Sequence, residues 1–305
     1  MKKTSETILF FGSGPVAAKS LSLLAKHCSI EAVITKPSTV KQMADALPGV
    51  QILAVDSRKA LDELVDTRQF HSHLGVLVDF GIIVSRQTID HFPLGIINSH
   101  FSLLPQWRGA DPISFSILSG QCKTGVSLML LVEAMDEGQI LSFVECTIQK
   151  NDTTPTLTNT LIELSDELLK EIIPRYVEGN VKPISQAQAE ALHGCEKSYS
   201  RKLTKEDAKI DWGKSATQIE REIRAFLGWP RSKTSLCGKD ITITQASVVA
   251  TSPSGTPSDV IVTHHKELGI ICGQGTLVIK KMILAGKKEM SGEAFLAGHR
   301  AKLGL

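Results

Sequence analysis

Three polar residues are placed where their side chains could carry out chemistry. Asn98 and His100 are two residues apart after the apolar pair Ile96-Ile97, and on a β-strand that spacing puts both side chains on one face. Asp136 precedes a turn that contains Gly138. An amide N–H can stabilise a developing oxyanion, an imidazole can exchange or orient a proton, and a carboxylate can set the imidazole tautomer. The trio therefore predicts a reaction in which an oxyanion develops while a proton moves.

Each of the three residues taken alone also fits a plain structural role, as a strand-end Asn, a hydrogen-bonded His and a turn Asp. The composition narrows the class of protein further. A chain of 305 residues with 42% hydrophobic and 22% charged residues is typical of a globular protein with about two domains. It has no apolar run of about 18 residues, so we expect no membrane span.

Cysteine and histidine usage predicts a protein without a metal site, and the short N-terminal apolar run predicts a cytoplasmic one. The six cysteines are scattered and form no C-x-x-C pair, which disfavours both disulfides and a cysteine-based metal site. His264-His265 has no partners at ligand spacing, and we expect it in a turn. The first apolar run, residues 8–11, ends at Gly12 and is too short for a signal peptide.

Charge is divided unevenly along the chain. Residues 1–195 contain 16 Lys and Arg against 21 Asp and Glu, whereas residues 196–305 contain 18 against 11. A basic second part predicts a surface that meets a polyanion. The alternative is an ordinary solvated basic surface.

Residues 1–183 show the alternation of strands and helices that is typical of a Rossmann-like α/β domain with a mostly parallel sheet. The predicted strands are residues 7–11, 30–35, 50–55, 74–78, 96–100, 125–131 and 139–146. A helix that begins at Thr154-Pro155 is expected to end at Pro174 and Gly179. Gly12-Ser13-Gly14 matches the start of a dinucleotide-binding motif, but Thr35 and Lys36 stand where its acidic ribose ligand belongs.

The remainder of the chain predicts a linker and a second, all-β domain. Residues 184–203 are polar without clear periodicity, and we expect a linker there. Residues 204–305 contain an amphipathic helix over 215–226 and then short alternating apolar runs broken by Gly and Pro. Such runs indicate a smaller β-barrel of the oligonucleotide-binding (OB-like) type.

The polar residues lie in a segment that resembles a known signature. Residues 98–109 read NSHFSLLPQWRG and are followed by Pro112-Ile113, with TGV at residues 124–126 and MDEG at 135–138. This pattern is similar to the N-x-H-x-SLLP-x-WRG signature of the folate-dependent formyltransferases. The second part of the chain resembles the methionyl-tRNA formyltransferase family within that group, through YSRKL at 199–203, KIDW at 209–212, IRAF at 223–226 and AGKKEM at 285–290.

The resemblance implies transfer of the formyl group of 10-formyltetrahydrofolate to the α-amine of initiator methionyl-tRNA. It implies Asn98, His100 and Asp136 as catalytic residues. It also implies a folate pocket and a tRNA surface. The residues implied for folate are Phe80, Gly81, Ser102, Leu103, Leu104 and Pro105, and those implied for tRNA are Lys202, Arg224, Lys287 and Lys288.

This chain departs from the family pattern at Phe101, Gln106 and Asp79-Phe80, and its loop over residues 36–49 is short and holds only two lysines. Four alternatives therefore stay open. Two use the same folate chemistry, namely a formyltransferase acting on an amino-sugar nucleotide and a 10-formyltetrahydrofolate hydrolase. The other two are an NAD-dependent oxidoreductase, which rests on Gly12 and Gly14, and a tRNA-binding protein without catalytic activity.

Overall fold

The computed structural model describes residues 6–251 and 254–303. The chain divides into two compact units. The first comprises Met1–Pro112, Lys123–Thr147 and Thr158–Ser200, and the second comprises Ile113–Cys122, Ile148–Leu157 and Arg201–Leu305. Among the described residues, no helix is both long enough and apolar enough to span a membrane.

Elements up to residue 200 alternate between strands and helices. In chain order they are β1 (Thr7–Gly12), α1 (Gly14–Leu24), β2 (Ser29–Thr35), α2 (Val40–Ala46), β3 (Gln51–Ala54), α3 (Arg58–Thr67), β4 (Leu74–Val78), α4 (Arg86–Asp90), β5 (Ile96–His100), β6 (Arg108–Gly109), α5 (Pro112–Ser119), β7 (Lys123–Leu130), β8 (Ile140–Thr147), α6 (Thr154–Val177), α7 (Gln186–His193) and β9 (Tyr199–Ser200).

Seven of these strands form one sheet in the order β3-β2-β1-β4-β5-β7-β8. The five strands from β3 to β5 are parallel, and β7 and β8 are antiparallel. On one face of the sheet, the ring of Phe11 packs edge-on against the rings of Phe80 and Phe92, and the ring centroids are 5.8 Å apart in both pairs. The predicted Rossmann-like, mostly parallel sheet is confirmed, and in such sheets ligands bind beyond the carboxyl ends of the strands.

The later elements form the second predicted fold. They are α8 (Ala216–Ala225), β10 (Ser232–Leu236), β11 (Lys239–Val249), β12 (Val260–Val262), β13 (Leu268–Ile271), β14 (Thr276–Leu284), β15 (Glu289–Ser291) and α9 (Gly292–His299). The strands pair antiparallel in the order β10-β11-β14-β13-β12, with β15 beside β14, and form a half-barrel. Ile219 and Ile223 of α8 belong to its apolar core together with Phe295.

Residues 184–203 differ from the irregular linker that the sequence predicts, because they contain α7 and β9. Ser185 and Gln188 form a capping box, in which Ser185 Oγ accepts from the Gln188 backbone N–H at 3.2 Å and Gln188 Oε1 accepts from the Ser185 backbone N–H at 2.8 Å. Only Gln186 and Ala189 of the helix are buried, which leaves too little apolar periodicity to predict it. The domain boundaries at 183 and 204 stay predictions.

The helix α6 ends between the two residues, Pro174 and Gly179, that the sequence predicts as its end, but Pro174 does not stop it. Pro174 lies inside the helix, which continues to Val177 before Gly179 adopts a left-handed φ of 76°. A proline inside a helix removes one backbone hydrogen bond and usually breaks the helix. Here Ile172 and Ile173 immediately before the proline are buried, so burial of that face favours continuation.

Candidate active site

Asn98 and His100 end β5 and point to the same side of it. Both side chains are almost fully buried, each with 7% exposure. The strand lies between β4 and β7, so its backbone is held on both edges. The two-residue spacing therefore brings the amide and the imidazole together at the carboxyl end of the parallel strands, as the sequence predicts.

The tautomer of His100 follows from its contact with Trp107. His100 Nε2 lies 3.0 Å from the carbonyl oxygen of Trp107. A carbonyl only accepts hydrogen bonds, so Nε2 carries the proton and donates it to this oxygen. In the neutral ring, Nδ1 therefore has the lone pair. The sequence suggested that Asp136 sets the tautomer, whereas the structure gives that role to the Trp107 carbonyl.

Asp136 brings the third group to the same point. Its Oδ2 accepts a hydrogen bond from the backbone N–H of Gly109 at 2.7 Å. Its Oδ1 lies 3.5 Å from Asn98 Nδ2 and 3.8 Å from His100 Nδ1. The first distance is at the limit of a hydrogen bond and the second is beyond it. The side chains of Asn98 and His100 thus converge on one carboxylate oxygen of Asp136, with His100 Nδ1 facing a negative charge.

Gly109 can hold Asp136 only because it lacks a side chain. Its φ is 114°, and a Cβ on it would clash with the carbonyl oxygen of Ser200. The close approach arises because β6 pairs with β9, with Gly109 opposite Ser200. Ser198 supports the same loop, since its carbonyl accepts from the Arg108 N–H and its Oγ from the Trp107 N–H, both at 3.0 Å.

The residues implied for folate binding divide into two groups. The side chains of Ser102, Leu103, Leu104 and Pro105 are buried, so contact with a ligand would involve mainly their backbone. That backbone is held in place by Ser127 Oγ, which donates to the Ser102 carbonyl at 2.8 Å and accepts from the Leu104 N–H at 3.0 Å.

The second group, Phe80 and Gly81, follows β4. Phe80 is a core residue with 2% exposure, whereas Gly81 is exposed with a φ of 67°. Asp79 beside them reaches solvent. The pKa of Asp79 is raised, mainly because the surrounding protein removes water from its charged carboxylate and then because of the like charge of Asp111. The positive charge of Lys36 opposes this shift. An acidic cluster with one cation thus lies next to the segment implied for folate.

Two residues that hold the site together carry no signal of this role in the sequence. Arg108 is buried, and its Nη1 donates to Glu137 Oε1 at 2.6 Å. Its Nε and Nη2 donate to Gln186 Oε1 at 3.0 and 2.6 Å. Gln186 comes from the segment expected to be a linker. Its position beside the turn at Asp136 depends on tertiary packing and on no local motif.

The residues implied for tRNA binding differ in their surroundings. Lys202, Lys287 and Lys288 are exposed, and the last two follow Gly286 in the turn before β15. Arg224 instead pairs with Glu220 through Nε at 2.7 Å and Nη2 at 3.1 Å, and its Nη1 donates to the Asp152 carbonyl at 2.9 Å. Contact of Arg224 with RNA stays a prediction, and it would have to compete with these three bonds.

The structure shows no preformed metal site in the part of the chain it describes. Within residues 6–251 and 254–303, no group of three or more His, Cys, Asp or Glu side chains is arranged to hold an ion. His264 and His265 lie exposed in a turn, which agrees with the sequence prediction for that pair.

Three solved structures illustrate the fold similarity. An N-formyltransferase from Helicobacter canadensis, in complex with folinic acid and dTDP-3-aminofucose, is 18% identical with a TM-score of 0.66, over 90% of this chain and 98% of that one. WlaRD, a sugar 3N-formyl transferase determined with dTDP and 5-N-formyl-THF, is 18% identical with a TM-score of 0.65, over 93% and 99%. HypX from Aquifex aeolicus, in complex with tetrahydrofolic acid, is 15% identical with a TM-score of 0.63, over 95% of this chain.

The chain spans only 46% of the length of HypX. At these identities the likeness concerns the fold alone. Two family models match the sequence directly. The model described as formyl transferase matches residues 8–173, and the model described as formyl transferase, C-terminal domain, matches residues 202–300. The first match contains Asn98, His100 and Asp136, and together the two cover most of the sequence. The chain therefore belongs to the formyl transferase family.

Proposed function

We propose that this chain transfers the formyl group of 10-formyltetrahydrofolate to a primary amine, with Asn98, His100 and Asp136 as catalytic residues. The observation that carries the proposal is the convergence of the amide and the imidazole on Asp136 Oδ1, at 3.5 and 3.8 Å. It occurs at the carboxyl end of β5, where sheets of this kind bind ligands.

The folate is a co-substrate that supplies the formyl group on its N10 atom. The residues implied for its pocket fit a flat, hydrogen-bonding ring system. Their side chains are mostly buried, and Ser127 holds the backbone of Ser102 and Leu104 in place. A rigid segment of backbone N–H and C=O groups can recognise such a ring without losing conformational entropy on binding.

Asn98 stabilises the charge that develops on the formyl oxygen as the amine attacks. An amide nitrogen carries two N–H groups, so Asn98 can donate one to Asp136 and the other to the oxyanion. Preorganised donors of this kind account for a large share of the rate acceleration in acyl transfer.

His100 moves the proton. Because Nε2 is committed to the Trp107 carbonyl at 3.0 Å, Nδ1 accepts the proton that the amine loses when its new C–N bond forms. Asp136 stabilises the resulting imidazolium from 3.8 Å. The proton then passes to N10 as the bond between the formyl carbon and N10 breaks. An α-amine with a pKa of roughly 7.7–8.0 supplies enough unprotonated nucleophile near neutral pH.

Two acceptors are supported by different observations. Methionyl-tRNA is supported by the basic composition of residues 196–305, with 18 Lys and Arg against 11 Asp and Glu, and by the exposure of Lys202, Lys287 and Lys288. An amino-sugar nucleotide is supported by the solved structures, since two neighbours over nearly the whole chain are an N-formyltransferase holding dTDP-3-aminofucose and a sugar 3N-formyl transferase. The comparisons favour the second acceptor, and the charge distribution favours the first.

One experiment tests both the reaction and the acceptor. The protein is incubated with 10-formyltetrahydrofolate labelled in the formyl group, in parallel with methionyl-tRNA, with dTDP-3-aminofucose and with no acceptor. Label in an N-formyl product identifies the acceptor, and formate released equally in all three reactions indicates a hydrolase. Uncharged tRNA is the matched control for the first reaction, because it offers the same phosphates without the amine. If none of the reactions releases the formyl group, the proposal is contradicted.

A further inference from the structure

Gln186, the first residue of α7, is a buried amide that uses its acceptor and its donors at once. Its Oε1 accepts from Arg108 Nε at 3.0 Å and from Nη2 at 2.6 Å. Its Nε2 donates to the carbonyl oxygens of Asp136 at 2.7 Å and of Gly138 at 3.0 Å. A buried side chain with four such bonds has a single orientation. Gln186 therefore links the buried cation to the backbone of the turn that carries Asp136.

The turn at residues 136–138 is bonded from outside at each residue. Asp136 has a φ of 52°, a left-handed conformation that Asp and Asn adopt more readily than most residues other than glycine. Its carboxylate faces the candidate site while its carbonyl accepts from Gln186. Glu137 is held from the same side by Arg108 Nη1 at 2.6 Å. Each residue of the turn is thus bonded to Arg108 or to Gln186.

The position of the Asp136 carboxylate is sensitive to this backbone. Its Oδ1 lies 3.8 Å from His100 Nδ1 and 3.5 Å from Asn98 Nδ2, distances at or just beyond the limit of a hydrogen bond, so that a small displacement makes or breaks the contact. Gly109 holds only Oδ2, so the carboxylate could pivot about that bond if the turn relaxed. The bonds from Gln186 Nε2 to the carbonyls of Asp136 and Gly138 oppose such relaxation.

We infer that Gln186 is a positioning residue: by bonding both Arg108 and the carbonyls of Asp136 and Gly138, it fixes the Asp136 carboxylate opposite His100. The inference rests on the proposed function of that pair. It also assigns a role in the site to residues 184–203, which the sequence suggests only as a linker. Gln186 acts through Asp136 and has no contact of its own with the reacting groups.

Two substitutions separate the contributions of the amide. Gln186→Ala removes all four bonds. Gln186→Glu keeps an oxygen acceptor for Arg108 but replaces the donor by a second oxygen that faces two carbonyls. The matched control is Gln188→Ala on the same helix, which removes the side-chain half of the capping box, the bond from the Ser185 N–H to Gln188 Oε1, and leaves the turn untouched. If helix stability alone matters, the control resembles the Gln186 variants.

The readouts are the kinetic constants of formyl transfer and hydrogen–deuterium exchange of the peptide that contains residues 134–138. For both Gln186 variants we expect kcat to fall by about 10- to 100-fold, the scale of a misplacement of about 1 Å in an active site. KM for 10-formyltetrahydrofolate should stay within about twofold, because the folate segment is unchanged. Exchange of the 134–138 peptide should rise. Gln188→Ala should leave kcat and this exchange at the wild-type level.

Wild-type kcat and exchange in Gln186→Ala would overturn the inference, as would an equal loss in Gln188→Ala. If Gln186→Ala does not fold, Gln186→Glu carries the test, since its carboxylate still accepts hydrogen bonds from Arg108. Exchange of the 134–138 peptide does not depend on catalysis. If the wild-type protein transfers no formyl group to any acceptor, the proposed function fails, and exchange still decides whether Gln186 holds the turn.

Discussion

The carbonyl oxygen of Trp107 accepts a hydrogen bond from His100 Nε2 at 3.0 Å, and this contact determines which ring nitrogen can take a proton. Trp107 can offer its carbonyl because it has a left-handed φ of 56° and because Ser198 Oγ accepts from its N–H at 3.0 Å. His100 Nδ1 is consequently directed to Asp136. The loop after β5 thus prepares the imidazole, and the turn after β7 supplies the charge opposite it.

Close packing of β6 against β9 makes Gly109 irreplaceable. Gly109→Ala should lower both the melting temperature and turnover, because the new Cβ meets the Ser200 carbonyl and displaces the N–H that holds Asp136. Gly49→Ala is the matched control, since Gly49 also has a positive φ, 84°, but no atom lies within 4 Å of the added Cβ. It should lose only the left-handed strain of roughly 1–2 kcal/mol, with normal turnover. Equal effects in melting and kinetics would show that the clash does not matter.

The acidic cluster after β4 predicts a stability that depends on pH. Because the pKa of Asp79 is raised in the folded protein, the folded state binds this proton more tightly than the unfolded state, and stability is lost as pH rises through that raised pKa. Asp79→Asn should therefore melt at a higher temperature than wild type at pH 7. The advantage should vanish below pH 3.8, the ordinary value for Asp. A variant that melts at or below the wild-type temperature at pH 7 would contradict this account of the cluster.

Reduced folates should stabilise the protein, and NAD should not. Folinic acid at 100 times its Kd is expected to add about 2.7 kcal/mol to the free energy of unfolding by mass action, visible as a higher melting temperature. NAD at the same concentration serves as the control for the motif at Gly12-Ser13-Gly14. Stabilisation by NAD alone would favour the oxidoreductase alternative and argue against the folate pocket.

Parts of the fold could be predicted and others could not, for identifiable physical reasons. The strand Leu74–Val78 is predicted residue for residue, because its continuous apolar run marks a buried strand. The strand Ile96–His100 also has the predicted bounds, with the apolar pair Ile96-Ile97 at its start. Helix α7 is not predicted, although Ser185 and Gln188 have the spacing of a capping box, because only Gln186 and Ala189 are buried and its apolar periodicity is weak. The pairing of Asn98 with His100 in the site could be predicted, because their two-residue spacing on a strand is enough to place them on one face. By contrast, the Gln186 bond to Asp136 joins residues 50 positions apart.

The exposed lysine pair of the β14–β15 turn tests the choice of acceptor. If methionyl-tRNA is the substrate, Lys287→Ala/Lys288→Ala should weaken tRNA binding and make the dependence of log affinity on log salt shallower by about one or two units, roughly one per lost phosphate contact. Lys26→Ala/Lys170→Ala is the charge-matched control, because both residues are exposed and lie in the acidic part of the chain. Identical salt slopes in both double variants would shift the assignment to the amino-sugar nucleotide.

The proton-transfer role of His100 is tested by the rate of formyl transfer from 10-formyltetrahydrofolate, measured in wild type and in His100→Ala with whichever amine the wild type accepts. We expect turnover to fall by roughly 10²–10³-fold or more, the scale of a lost general acid–base group, with comparable losses in Asn98→Ala and Asp136→Ala. The melting temperature should change little. Near-normal turnover in a folded His100→Ala protein would contradict the mechanism.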